Sequence, residues 1–87
     1  MSFFVYILKC SDQTFYIGST NDLEKRLHQH NNLKSGAHYT KIRRPVELIY
    51  QEEHPDISTA RSREAVLKQL TRQQKISLLK NHRSINP

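Results

Sequence analysis

The sequence predicts an α+β fold: a small three-stranded antiparallel sheet flanked by helices, in the order β-β-α-β-α-α. Three observations predict it. The run "FFVYILKC" (3–10) is apolar on both parities, Phe3, Val5 and Ile7 against Phe4, Tyr6 and Leu8. A strand covered on both faces reads this way, so it belongs at the centre of the sheet. The turn cluster "SDQT" separates it from a second β-rich run, "FYIGS" (15–19), which makes the pair a hairpin. Downstream, helical periods follow recognisable capping signals.

Within the hairpin the register decides which side chains meet. Partners whose numbers sum to an even value place Tyr6 and Tyr16 on one face, and an odd sum separates them. These residues leave both registers open. "NDLEKRLHQHNN" (21–32) is a helix opened by a capping-box-like Asn21 and Glu24, with Leu23 and Leu27 inward. Arg26 and His30 fall within about 60° of Leu23 and so border the buried side. "LKSGAHYTKIRR" reads as a long polar loop around Gly36, the segment expected to be most mobile. "PVELIYQEE" (45–53) alternates Val46, Leu48 and Tyr50 against polar neighbours, apart from Ile49, which suits a half-buried third strand behind Pro45.

The next helix starts at Asp56 or Ser58, and "TRQQ" (71–74) is a capping box for a last helix carrying Ile76 and Leu79 inward. Residues 1–81 are expected to form one domain, with 82–87 as a disordered tail. A chain of 87 residues lies near the lower end of what one core stabilises. The single cysteine, Cys10, excludes an internal disulfide and a cysteine-based zinc site. No apolar run approaches ~18 residues and no signal-peptide order is present, so a soluble cytoplasmic protein is expected.

Charge is unevenly placed. The net charge of +6 favours polyanionic partners. Between Lys34 and Arg44 there are four cations and no acid, while Arg61 to Arg83 holds seven cations and one acid, Glu64. Rotation at 100° per residue sets Glu64 between Ala60 and Ile57, inside an apolar arc completed by Leu67, Leu70 and Val66. A carboxylate there costs several kcal/mol unless a cation, a metal or hydrogen-bond donors meet it.

Five side chains are therefore candidates for chemistry: Tyr6, Tyr16, Arg26, His30 and Glu64. Each also has a plain structural reading. The tyrosines fit core aromatics, Arg26 can snorkel past the leucines, His30 suits a helix C-terminus, and Glu64 can pair with Arg26. As a set they suit phosphodiester hydrolysis. A lone glutamate can hold Mg²⁺, an arginine can neutralise a phosphate oxygen, and a phenol or imidazole can relay a proton from water. His28 and His30 point about 200° apart and form no metal pair. Lys34, Lys41, Arg43 and Arg44 can track phosphates, with His38 and Tyr39 available to stack on bases; a solvated loop is the alternative.

"FVY" (4–6), nine residues, and then "YIG" (16–18) resembles the two-part signature of the GIY-YIG nuclease superfamily. The arginine of "NDLEKRL" and the helix "REAVLK" match that family's next two elements in order, over roughly residues 3 to 70. The likeness is to its small stand-alone bacterial members. It implies that Tyr6 and Tyr16 line the site on one face, which selects the even register. It also implies that Arg26 stabilises the phosphate, that Glu64 binds one divalent ion, Mg²⁺ or Mn²⁺, and that His30 stands at a helix position where relatives carry His or Tyr. The chain departs from the pattern in having Phe-Val-Tyr for Gly-Ile-Tyr, and offers only Asn81 for the family's late asparagine.

The resemblance implies a metal-dependent DNA endonuclease, structure-selective and linked to DNA repair or processing, acting as a monomer on DNA, with RNA left open. Two rivals stand beside it. One is a nucleic-acid-binding module that keeps the nuclease fold but cleaves poorly. The other is an adaptor docking a protein through the acids from Glu52 to Asp56.

Overall fold

The computed structural model describes residues 2–32 and 38–85. Strands β1 (Phe3–Lys9), β2 (Phe15–Thr20) and β3 (Glu47–His54) form one antiparallel sheet in the order β2-β1-β3. The strand that is apolar on both parities is therefore central. Helices α1 (Leu23–Asn32) and α2 (His38–Lys41) follow the hairpin, and α3 (Ile57–Gln69) and α4 (Arg72–Ile85) follow β3. The one-turn α2 lies in the segment expected to be a loop. Lys34, Gly36 and the His38 side chain fall outside the described residues. The backbone of α4 is helical into the expected 82–87 tail.

The hairpin takes the even register, with Tyr6 opposite Gly18 and Leu8 opposite Tyr16. The even-numbered β1 residues Tyr6 and Leu8 face one core with Cys10 and Val46, closed by Leu23 and Leu27 of α1 and Tyr39 of α2. The odd-numbered Val5 and Ile7 face another with Ile17, Ala60 and Leu67, closed by Leu70, Leu78 and Leu79. The sheet thus carries α1 and α2 on one face and α3 and α4 on the other.

Three details differ from the expected pattern. Pairing passes from Ile7–Tyr50 to Leu8–Leu48, so Ile49 is the extra residue of a β-bulge. That bulge moves Tyr50 off the Leu48 face and into the α3 core, which is why the apolar alternation stumbles at Ile49. On α3, Ile57 and Val66 are exposed, and Ala60 with Leu67 carries the burial. The inward arc is narrower than rotation alone suggests. The α1 cap is Asp22, whose Oδ1 accepts the Lys25 amide at 3.1 Å, rather than Asn21.

The other caps form as their chemistry requires. Asp56 accepts the Thr59 amide at 2.8 Å, and Thr71 and Gln74 exchange hydrogen bonds of 2.9 and 3.1 Å. Of the acids from Glu52 to Asp56, Glu52 is committed inside the fold, while Glu53 and Asp56 are exposed. Glu52 binds Arg63 at 2.9 Å and His54 at 2.8 Å, accepts the Tyr50 hydroxyl, and so ties β3 to α3. Among the described residues no helix is long and apolar enough to cross a membrane.

Candidate active site

Tyr6 and Tyr16 project from neighbouring strands onto the α1 face, with ring centroids 6.4 Å apart. His30, in the last turn of α1, sits edge-on to both, at 5.8 and 5.0 Å. Its placement is firm because the end of α1 is held from two sides. Asn31 accepts the Val46 amide at 2.8 Å and donates to the Val46 carbonyl at 3.1 Å. The Arg44 guanidinium donates to the carbonyls of His30 and Gln29 at 2.5 and 3.1 Å, filling acceptors that a helix end leaves over.

The resulting cluster is a chain of buried polar groups. The Tyr6 hydroxyl lies 2.9 Å from His30 Nε2, and His30 Nδ1 lies 2.7 Å from Thr40 Oγ1. His30 and Thr40 are fully buried and Tyr6 is 2% exposed. Burial pushes the Tyr6 phenol up to about 12, against the lowering effect of an Arg26 hydrogen bond. Burial, followed by the charges of Arg26 and Arg44, lowers His30 to about 4. At neutral pH the cluster is thus a neutral phenol on a neutral imidazole.

That imidazole has a consequence for stability. A histidine whose affinity for protons falls from the ordinary 6.5 to about 4 on folding binds fewer protons native than unfolded. Its contribution is complete above pH 6.5 and is lost as pH falls toward 4, roughly 3 kcal/mol over the whole window. Asp12, Glu52, Asp56 and Glu64 are all held below their usual range, so the stability they contribute is lost at the acid end of the titration. Urea unfolding from pH 6.5 to 4.5 is expected to show falling stability in the wild type. His30→Gln should lose most of that slope; an unchanged slope would place the proton elsewhere.

Arg26 lies one turn before His30, half-buried, donating Nη1 to Gln29 Oε1 at 2.9 Å and reaching the Tyr6 hydroxyl. Glu64 approaches from the other side. Its Oε1 accepts the Ser19 hydroxyl at 2.7 Å and its Oε2 takes the Lys68 ammonium at 2.7 Å, with the side chain 20% exposed. Burial acts to raise this carboxyl. Hydrogen bonds from Lys68 and Ser19 and the charges of Lys68 and Arg61 outweigh it, holding Glu64 below the usual carboxylate range.

Glu64 is therefore set across edge strand β2 from the tyrosines, not directly opposite them. Ser19 carries Glu64 on the α3 face, while its neighbour Gly18 lies under the Tyr6 ring on the α1 face. The two halves still share one field, since the Glu64 charge acts on Tyr6. The partner of Glu64 is Lys68, four residues on, and not Arg26. Among the described residues no three His, Cys, Asp or Glu side chains converge on a metal site. What Glu64 offers is one hard carboxylate already paired with a cation. That donor set fits an ion such as Mg²⁺, which takes one or two carboxylates and completes its shell with water and substrate oxygens.

The loop cations hold the fold together more than expected. Arg43 binds Asp12 at 2.9 Å, donates to the Tyr39 carbonyl at 3.0 Å and stacks 3.9 Å over the Tyr39 ring. Lys41 is half-buried, and Lys34 lies outside the described residues, as does the side chain of Asn81. Three residues escape a reading of sequence alone: Thr40, Ser19 and Lys68. Of these only Lys68 left a signal, the i,i+4 spacing from Glu64.

Comparison with known proteins shows the family and the fold. The model of the GIY-YIG catalytic domain matches residues 2–77. A UPF0213 protein of Syntrophus aciditrophicus is 48% identical over 79 residues, covering 91% of each chain. One from Staphylococcus epidermidis is 53% identical over 76 residues, covering 87% of this chain and 92% of its own. A solution structure of an E. faecalis protein matches with TM-score 0.66 and 42% identity over 95% of this chain and 88% of that one. A UPF0213 structure from Bacillus halodurans gives 0.60 and 35% over 92% and 84%.

Proposed function

The chain belongs to the GIY-YIG catalytic-domain family, and on that footing we propose that it is a metal-dependent DNA endonuclease. The observation that carries the reading is the buried Tyr6–His30 pair beside Arg26, with Glu64 across β2. Arg26 pairs with the scissile phosphate and offsets its developing charge. Water attacks phosphorus and passes its proton to the Tyr6 oxygen while Tyr6 passes its own to His30 Nε2. A new P–O bond forms, the old one breaks, and the departing oxygen takes a proton from solvent. Tyr16 walls the site and orients the other two rings.

His30 is a weak base in the free protein because burial and two arginines depress it. A phosphate bound on Arg26 cancels one of those charges, so the imidazole regains basicity when substrate is in place. Glu64 holds one Mg²⁺ or Mn²⁺, which, when bound, supplies Lewis-acid stabilisation of the phosphate oxygens. Flanking phosphates follow the open groove of about 270 Å³ lined by Ser19, Thr20, Asn21 and Arg61. Lys41 and Arg43 are the candidates for further phosphate contacts, while Arg44 is committed to the end of α1 and Lys34 lies outside the described residues.

Selection in this reading rests on DNA shape, by a monomer acting on branched or nicked DNA in cytoplasmic repair or processing. Wild-type protein is expected to cut nicked and branched DNA faster than linear duplex when Mg²⁺ or Mn²⁺ is present, and not at all in EDTA. Binding without cleavage under every metal condition would favour the nucleic-acid-binding module; cleavage of RNA alone would change the substrate.

A further inference from the structure

His30 is hydrogen-bonded at both ring nitrogens. A neutral imidazole carries one N–H and one bare nitrogen, so its two partners must play opposite roles. One partner is the Tyr6 hydroxyl at Nε2, 2.9 Å away, and the other is Thr40 Oγ1 at Nδ1, 2.7 Å away. Two tautomers satisfy the distances, and they do opposite things to Tyr6. If Nε2 carries the proton, it donates to the Tyr6 oxygen and Tyr6 has nowhere to send its own. If Nδ1 carries the proton, it donates to Thr40 and Nε2 is free to accept from Tyr6.

The two hydroxyls differ in chemistry. A phenol is more acidic than an aliphatic hydroxyl, so Tyr6 is the stronger donor and Thr40 the stronger acceptor. The Tyr6 O–H therefore points to Nε2, its partner at 2.9 Å, and Thr40 Oγ1 takes the proton on Nδ1. From these contacts we propose that Thr40 fixes His30 as the Nδ1–H tautomer, making it a positioning residue that gives the Tyr6–His30 relay its direction. The proposal rests on the nuclease reading for its catalytic consequence, although the tautomer itself does not. Burial makes the device effective, because His30 and Thr40 are fully buried and no water replaces the partner at Nδ1.

The deciding experiment is long-range ¹H–¹⁵N NMR of the histidine ring in the free protein, without metal or DNA, on wild type, Thr40→Val and Thr40→Ser. Wild type should show His30 with its proton on Nδ1. Thr40→Val removes the acceptor at nearly constant volume and should move the population toward Nε2–H; Thr40→Ser should keep Nδ1–H. In cleavage assays Thr40→Val should lower kcat roughly 10- to 100-fold at unchanged KM, a part of the roughly 10²- to 10⁴-fold that a positioned acid or base contributes. Thr40→Ser should recover the rate to within about threefold. His30 found as Nε2–H in wild type overturns the proposal even where Thr40→Val fails to fold. An Nδ1–H tautomer that survives Thr40→Val overturns it as well. Wild-type protein that cuts no DNA removes the nuclease reading alone, since the ring spectrum still decides what Thr40 does.

Discussion

Glu64→Gln is expected to slow DNA cleavage on the order of 10³-fold or more while leaving the fold and the DNA affinity intact. Metal polarisation of a phosphoryl oxygen is worth several kcal/mol of transition-state stabilisation, and each 1.36 kcal/mol is about tenfold in rate. Glutamine keeps the shape of the side chain, and its oxygen can still accept the Ser19 hydroxyl. What it removes is the charge, and with it the metal and the exposed Lys68 pair. An i,i+4 pair of this kind contributes about 0.5 kcal/mol or less, so the urea midpoint should barely move. DNA affinity without metal should hold or tighten slightly, because a negative charge leaves a surface shared with Arg61 and Lys68. The three readouts together separate loss of metal from loss of structure. A cleavage rate within tenfold of wild type would take the metal off Glu64 and leave the residue a helix-surface ion pair.

Much of this site is legible in the sequence because its parts obey local rules. The central place of β1 follows from an apolar run on both parities, and the inward rotation of Arg26 and His30 follows from 3.6 residues per turn. Glu64 announces itself as a carboxylate on an apolar arc. The even register came only from the family resemblance, since a hairpin of this loop length permits either, and the pairing of Tyr6 with Gly18 agrees with it.

What stayed hidden depends on contacts between distant segments. Thr40 is ten residues from His30 across a stretch without period, so no spacing rule joins them. Arg43 and Arg44 read as phosphate-tracking cations, with a solvated loop as the alternative, because nothing in the chain predicts Asp12, the Tyr39 ring or the α1 carbonyls as their partners. Tyr50 was placed on the wrong face by a bulge, and a single extra residue reverses every later side chain. The side of β2 from which Glu64 arrives has the same character. Helical rotation shows that the acid turns inward, but which face of the sheet the helix covers is a matter of topology.

Gly18→Ala should injure the site more than any other single methyl group added to the sheet. Gly18 faces Tyr6 directly across the β1–β2 ladder, and the Tyr6 ring lies over its backbone. A Cβ at Gly18 would stand 2.5 Å from the Tyr6 oxygen, 2.7 Å from Cζ and 3.2 Å from Cε2 of Tyr16. The first two contacts are far inside van der Waals separation, and Tyr6 has no open space to enter because it is 2% exposed. The ring must shift as a rigid body, which breaks the 2.9 Å bond to His30 and the approach of Arg26 together. Overpacking of this kind costs about 1–3 kcal/mol, which lowers the melting midpoint of a domain this size by roughly 5–20 °C. Cleavage at a temperature where the variant is folded should fall at least about 100-fold, as expected when a proton relay loses its alignment. Ile17→Val supplies the comparison: it trims the opposite core for about 0.5–1.5 kcal/mol and touches neither tyrosine nor His30. If Gly18→Ala, once folded, cuts DNA as fast as Ile17→Val, the glycine serves packing alone and the Tyr6–His30 geometry does not set the rate.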